Sequence, residues 1–197
     1  MAELYLCTPR QFDPTTFGPD LARVLDAHAV ACVRLALDST QEAEIAAAAM
    51  VAREVCADHN IPVVLAEHFR MVRDLGLDGV HLEGPAHVRA ARDALPKGAI
   101  VGAFCGTSRH NGLTAGEIGA DYVSFGPLSA SALGSGEVAD PDLFRWWAQM
   151  IELPVVAEGG LTAAIIADLA ETADFLCFGD EIWSADDPSR ALAELLG

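Results

Sequence analysis

Short apolar runs recur along the chain and alternate with segments that mix apolar and polar residues. Successive runs begin roughly 25 residues apart, which is the length of one compact strand–helix unit. Because the runs are continuously apolar, they are typical of parallel strands that are buried on both faces. The eight runs cover residues 4–7, 30–37, 62–65, 79–82, 99–104, 121–125, 154–157 and 174–178.

Helical patterns fill the gaps between these runs. Apolar residues at helical spacing cover 21–28, an alanine-rich segment covers 41–57, and Asp187 followed by Pro188 is typical of a helix start. The alternation of strands and helices predicts a single (β/α)₈ TIM-barrel domain over residues 1–197. A doubly wound open sheet is the alternative, although no G-x-G-x-x-G motif follows the first strand.

The charge balance narrows the classes of function. The 197 residues include 29 acidic and 12 basic side chains, for a formal net charge of −17. Nucleic acids and anionic membranes both require a cationic surface, so we expect neither as a partner. Lys97 is the only lysine and therefore the only candidate for Schiff-base chemistry. Five cysteines without a C-x-x-C pair, and no apolar run of about 18 residues, favour the reducing cytoplasm.

The candidate site lies where the predicted strands end, because TIM barrels carry their active sites on that face. Gly159-Gly160 and Gly179 predict a phosphate-binding loop, since glycine lets backbone amides approach an anion. A tight turn with positive φ is the alternative for the glycine pair. Asp180 would repel a phosphate unless a cation intervenes, or it caps the next helix. Further binding candidates are Ser129 and Ser131, in an irregular stretch at 127–141 that we interpret as a mobile lid.

Three ionisable side chains complete the candidates. Arg34 interrupts an apolar strand, so a guanidinium that faces the barrel interior either grips an anionic ligand or pairs with Glu67 or Glu158. Glu67 follows the third strand and is the candidate ligand for Mg²⁺, which prefers oxygen donors. His81 is a candidate binding residue, with a hydrogen-bonded core histidine as the alternative.

Several longer motifs resemble one known family. Residues 76–82, 119–127 and 154–161 are similar, in order and spacing, to the thiamine-phosphate synthase and thiazole tautomerase superfamily, as are 4–6 and 186–188. The resemblance implies a TIM barrel that couples hydroxymethylpyrimidine pyrophosphate to a thiazole phosphate. It also implies that Mg²⁺ and basic side chains assist the departure of pyrophosphate.

The chain departs from the family pattern where the resemblance places the pyrophosphate. The family has Gln-Leu-Arg-Glu-Lys on the second strand, and this chain has residues 33–37, in which only Arg34 is retained. The acidic position after strand three is Glu67, which implies a retained Mg²⁺ ligand. The lysines expected on strand two and in the strand-six loop are Leu37 and Gly134. The pyrophosphate and Mg²⁺ site is therefore expected to be degenerate.

Two classes of function follow. The first is a thiamine-phosphate-synthase-like transferase in which Arg34 contacts an anion and Glu67 holds Mg²⁺. The second is a non-catalytic homologue that binds a small phosphate ligand or a partner protein. Trp146 and Trp147 would form its interaction patch if both are exposed, and one tryptophan buried against the barrel is the alternative. An unrelated lyase or isomerase on the same barrel is a third interpretation. The sequence leaves open whether the chain forms a homo-oligomer.

Overall fold

Parallel strands close into a barrel in the computed structural model, which describes residues 2–131 and 133–197 and leaves Ala132, in the strand-six loop, outside the described residues. Each strand pairs with its neighbours in sequence, and the first pairs with the eighth. This closure confirms the (β/α)₈ prediction and rules out the open doubly wound sheet. The strands are β1 Glu3–Cys7, β2 Val30–Leu35, β3 Val63–Ala66, β4 Gly79–Glu83, β5 Ile100–Phe104, β6 Tyr122–Phe125, β7 Val155–Glu158 and β8 Phe175–Phe178.

Helices connect the strands, and their starts follow from local sequence. Asp13, Asp140 and Asp187 each accept a backbone N–H of the following turn through a side-chain oxygen, and each precedes a proline. The predicted start of the last helix is thereby confirmed. The helices are α1 Pro14–Ala27, α2 Glu42–Asp58, α3 Val72–Leu75, α4 Val88–Ala94, α5 Arg109–Glu117, α6 Pro141–Met150, α7 Ala163–Leu169, α8 Asp180–Trp183 and α9 Pro188–Leu196.

The second strand is shorter than its apolar run predicts, because β2 ends at Leu35 instead of residue 37. The hydroxyl of Thr8, just beyond β1, accepts the N–H of Ala36 at 3.0 Å. A side chain thus takes the place of the next ladder bond, and the backbone leaves the sheet. Ala36 and Leu37 consequently line the mouth of the barrel.

Apolar side chains form two separate layers, one on each face of the sheet. The larger layer lies between the barrel and the helices, and includes Leu6, Val33 and Leu65, each at most 1% exposed. The smaller layer fills the barrel interior. Burial on both faces explains why the strands appear as continuous apolar runs instead of alternating ones. The interior layer consists of Tyr5, Cys32, Val64, Tyr122, Val156 and Cys177.

The tryptophan pair of α6 lies on the outer side of the barrel. Of the two alternatives for the tryptophan pair, the structure shows the one with a buried ring, because Trp147 is 1% exposed and donates its indole N–H to the Leu153 carbonyl at 2.8 Å. The Arg109 guanidinium lies over the ring of Trp146, 4.7 Å from its centroid.

Within the described part of the chain, no helix has both the length and the apolar content that crossing a membrane requires.

Candidate active site at the barrel mouth

A cavity of about 670 Å³ opens at the carboxyl ends of the strands, where the sequence places the site. Most of the predicted site residues line it. Ser129 instead donates its hydroxyl to the Gly160 carbonyl at 2.8 Å and so supports the loop that follows β7. Lys97 is exposed in the turn before β5, at the opposite end of the barrel. The predicted residues that line the cavity are Arg34, Glu67, His81, Ser131, Gly159, Gly160, Gly179 and Asp180.

Arg34 points into the barrel and forms a buried ion pair with Glu158 of β7. The two guanidinium nitrogens Nη1 and Nη2 donate to the two carboxylate oxygens, and the Nη1–Oε1 distance is 3.3 Å. Both side chains are under 10% exposed. Burial alone would raise the pKa of Glu158, but the charge and hydrogen bonds of Arg34 lower it to about 2. The sequence leaves Arg34 to bind either an anionic ligand or an internal acid. In this structure its partner is the internal acid Glu158.

Below this pair, a chain of hydrogen bonds crosses the barrel interior. Tyr5 and Tyr122 share a hydrogen bond of 2.8 Å between their hydroxyls, and the Tyr122 hydroxyl is also 2.8 Å from Nδ1 of His81. Burial and then the charge of Arg34 lower the pKa of His81 from 6.5 to about 3, so its imidazole is neutral at pH 7. Within the described residues, Nε2 of His81 has no hydrogen-bond partner, and it lies 3.9 Å from Oε1 of Glu158.

Two thiols complete the floor of the cavity. Nε of Arg34 lies 3.4 Å from the Cys7 sulfur, and Nη2 lies 3.7 Å from the Cys177 sulfur. The Cys177 thiol, acting as hydrogen-bond donor, and the charge of Arg34 together lower the pKa of the Cys7 thiol. Although Cys7 lies in an apolar run, it is half-buried and lines the cavity.

Two carboxylates, those of Glu67 and Glu83, lie on the β3–β4 side of the mouth. Glu67 adopts a left-handed backbone conformation with φ 63°, which is strained for a residue with a side chain. Its Oε1 accepts the backbone N–H of Glu83. Burial, followed by the charges of Glu158 and Glu67, raises the pKa of Glu83. Among residues 2–131 and 133–197, no group of three or more metal-ligating side chains is assembled.

The loop after β7 requires glycine at two successive positions. Gly159 and Gly160 have φ values of 84° and 75°. A Cβ added to Gly160 would lie 2.1 Å from the Ser129 hydroxyl oxygen, and one added to Gly159 would lie 2.8 Å from a methyl group of Leu133. The 127–141 stretch, interpreted above as a lid, therefore packs directly on this loop. Both the conformation and the close approach explain the glycine pair.

Glu181 occupies the position where the sequence predicts a bound phosphate. Its Oε1 accepts the backbone N–H groups of Gly160 at 2.6 Å and Leu161 at 3.1 Å, and its Oε2 accepts that of Gly179 at 2.8 Å. Gly179 is the N-cap of α8 with no side-chain cap, so the helix-capping interpretation of Asp180 is wrong. Asp180 is exposed and faces the cavity.

Sequence reasoning missed Glu181, although its position two residues after Gly179 is a signal that could have found it. A carboxylate that closely follows a glycine loop can fold back onto the loop's own amides. The sequence pattern instead favours Asp180, because it follows Gly179 directly. Which of the two acids faces the amides depends on the first turn of α8, which the pattern does not specify.

Comparisons with known proteins agree with this geometry. The family model described as thiamine monophosphate synthase matches residues 4–182. Thiamine-phosphate synthase of Rhodospirillum centenum is 38% identical over 195 residues, covering 97% of this chain and 94% of that protein. The corresponding protein of Erythrobacter litoralis is 34% identical over 198 residues, with 97% and 92% covered. This chain belongs to the thiamine monophosphate synthase family.

Solved structures share the fold of this family member. Thiamine phosphate pyrophosphorylase from Pyrococcus furiosus superposes with a TM-score of 0.82 at 21% identity, covering 99% of this chain and 97% of that one. A 3-hexulose-6-phosphate synthase superposes with a TM-score of 0.72 at 18% identity, with 98% and 97% covered. At these identities the likeness shows the barrel fold alone.

The buried ion pair makes a prediction about stability. Replacing Arg34 with methionine leaves the Glu158 carboxylate buried without a partner, which is expected to cost about 3–5 kcal/mol of unfolding free energy. Adding Glu158→Leu should recover most of that loss, because the uncompensated charge is removed. Urea unfolding of both variants measures the difference. Arg190→Met is the control, since it breaks an exposed pair with Glu194 and should cost far less unfolding free energy than the buried pair. A loss in Arg34→Met no larger than in this control would contradict the account.

The lowered pKa of His81 predicts a pH dependence of stability. Between pH 6.5 and about 3 the unfolded chain binds a proton at this site while the folded chain does not, so stability falls with acidification. Between pH 7 and pH 5, His81 alone is expected to lower the free energy of unfolding by about 2 kcal/mol. Glu158 begins to contribute only below pH 4.5. Urea unfolding at both pH values should therefore show a smaller loss in His81→Gln than in the wild type. Equal losses would mean that His81 titrates normally in the folded protein.

Proposed function

We propose that this protein is a slow transferase of the thiamine-phosphate synthase type. In the proposed reaction, a thiazole nitrogen forms a bond to the methylene carbon of a pyrimidine diphosphate. The carbon–oxygen bond to the leaving diphosphate breaks with its electron pair. The observation that carries this proposal is the cavity itself, whose volume of about 670 Å³ suits two small heterocycles and which opens on the active face of a barrel of this family.

Glu67 and Glu83 are the residues that would hold Mg²⁺. The ion is usually bound through one or two carboxylates, with water and substrate phosphates completing its shell, and this acidic pair supplies that donor set. Burial, then the charges of Glu158 and Glu67, raise the pKa of Glu83, and a bound cation would favour its ionised form. When bound, Mg²⁺ supplies neutralisation of the charge that develops on the leaving diphosphate.

The protein's own cations at the mouth are Arg10 and Arg34, and each is already engaged. Arg10 lies 3.2 Å from Asp38, and Arg34 is held by Glu158. The guanidinium of Arg34 lines the cavity while it remains paired with the Glu158 carboxylate. The positions at which the family pattern has lysine are Leu37 and Gly134. Each missing electrostatic group is expected to lower the rate by about 10²- to 10³-fold, which is why we propose a slow enzyme.

A non-catalytic binding protein is the second candidate, and the Arg34–Glu158 pair favours it. A guanidinium whose hydrogen-bond donors are already used by a buried carboxylate has fewer donors available for a diphosphate than a free guanidinium has. Under this candidate, the cavity binds a heterocycle without turning it over. The two candidates differ in product formation and share ligand binding.

Incubation with hydroxymethylpyrimidine diphosphate, a thiazole acceptor and Mg²⁺ tests the transferase. We expect slow formation of the coupled product, followed by liquid chromatography, at a rate proportional to the protein concentration. Glu67→Gln should raise the Mg²⁺ concentration needed for half-maximal rate at least about tenfold, because one of two carboxylate ligands is lost.

Glu54→Gln is the matched control, since Glu54 is exposed on α2, away from the cavity, and its loss should leave the Mg²⁺ dependence unchanged. Absence of product at high protein concentration would overturn the transferase proposal. If calorimetry then still showed binding of a thiazole, the binding protein would stand in its place.

A further inference from the structure

Three backbone amides from two loops converge on one carboxylate at the mouth of the barrel. The N–H groups of Gly160 and Leu161 follow β7, and the N–H of Gly179 follows β8; we call these three groups the amide cradle. Glu181 fills the cradle through both of its oxygens, at 2.6, 3.1 and 2.8 Å. Convergent backbone amides of this kind bind anions, and here the anion belongs to the protein itself.

The internal carboxylate has an advantage over any external anion. Glu181 is tethered two residues from Gly179, so it meets the cradle at a high effective concentration. A phosphate could bind the cradle only after displacing it. The displaced carboxylate would remain beside the phosphate, together with Asp180, and both would repel it.

The surrounding charge adds to this exclusion. Six acidic side chains line the cavity against two arginines, and both arginines are paired with acids. No cation is therefore free within the described lining to compensate a phosphate at the β7–β8 end. The acidic lining residues are Asp38, Glu67, Glu83, Glu158, Asp180 and Glu181.

The same carboxylate is well placed to bind a neutral hydroxyl. A carboxylate has about four acceptor positions, and the cradle uses three of those of Glu181. Glu181 also lines the cavity, so its remaining acceptor capacity is available to a donor within it. A hydroxyl group supplies one donor without adding charge, whereas a phosphate ester is mostly dianionic at pH 7 and is repelled by the carboxylate.

We propose that Glu181 determines specificity, and that it makes this end of the cavity a site for a thiazole alcohol in place of its phosphate ester. The proposal rests on the transferase proposed above for the reaction, although the binding preference stands without turnover. With the alcohol as acceptor, the thiazole nitrogen forms the new carbon–nitrogen bond, diphosphate leaves with the electrons of the broken carbon–oxygen bond, and the product is unphosphorylated thiamine.

Isothermal titration calorimetry with the hydroxyethyl thiazole alcohol and with its phosphate ester tests the preference. We expect the wild-type protein to bind the alcohol at least about tenfold more tightly than the ester. Glu181→Ala empties the cradle and should shift the ratio of the two affinities at least about tenfold toward the ester. Glu181→Gln removes the charge while keeping the shape, and should shift the ratio in the same direction. Because two variants are measured, a folding defect in one of them still leaves the other to test the preference.

Glu171→Gln is the matched control, because it removes one exposed negative charge outside the cavity and should leave the ratio unchanged. The proposal is overturned if the wild type binds the ester as tightly as the alcohol, if neither compound binds, or if both Glu181 variants leave the ratio as it was. A preference for the alcohol without product formation would support the role of Glu181 and overturn only the transferase.

Discussion

The buried ion pair between Arg34 and Glu158 is the constraint on which the rest of the barrel mouth depends. It joins β2 to β7 across the interior, where an unpaired charge would be strongly destabilising. The charge of Arg34 helps to keep His81 neutral and lowers the pKa of the Cys7 thiol, while the sulfurs of Cys7 and Cys177 lie against its guanidinium. This interaction therefore adds to the effects of burial and of the Cys177 thiol on the groups that form the cavity floor. It also engages the one buried arginine among the cavity-lining residues.

At the other end of the cavity, Glu181 likewise pairs an internal carboxylate with groups that could bind an external anion. There the positive groups are backbone amides, and the protein again satisfies them with its own carboxylate. The net charge of −17 thus has a local counterpart, because acids are paired with the very groups that would bind polyanions. This internal neutralisation is the physical reason for proposing a slow reaction, a dependence on Mg²⁺ and a preference for an uncharged acceptor.

Much of the fold could be predicted from sequence because barrel strands are buried on both faces and therefore appear as unbroken apolar runs. Strand ends were less predictable, as in β2, where the Thr8 hydroxyl ends the ladder two residues early. The positions of Arg34, Glu67, His81 and the Gly159-Gly160 loop at the mouth follow from the rule that active sites lie at strand ends. The choice among partners did not follow, since the pattern makes Glu67 and Glu158 equal candidates for Arg34, and only closure of the barrel brings Glu158 of β7 to Arg34 across the interior. The role of Glu181 depended on a single turn of helix, which carries no periodic signal.

A titration of the wild-type protein with inorganic phosphate, followed by the amide NMR signals of Gly160, Leu161 and Gly179, tests the central claim most directly. If Glu181 holds the amide cradle against external anions, these three signals should stay in place at pH 7 through millimolar phosphate. Signals that move together and saturate would show that phosphate displaces the carboxylate, and would contradict the account.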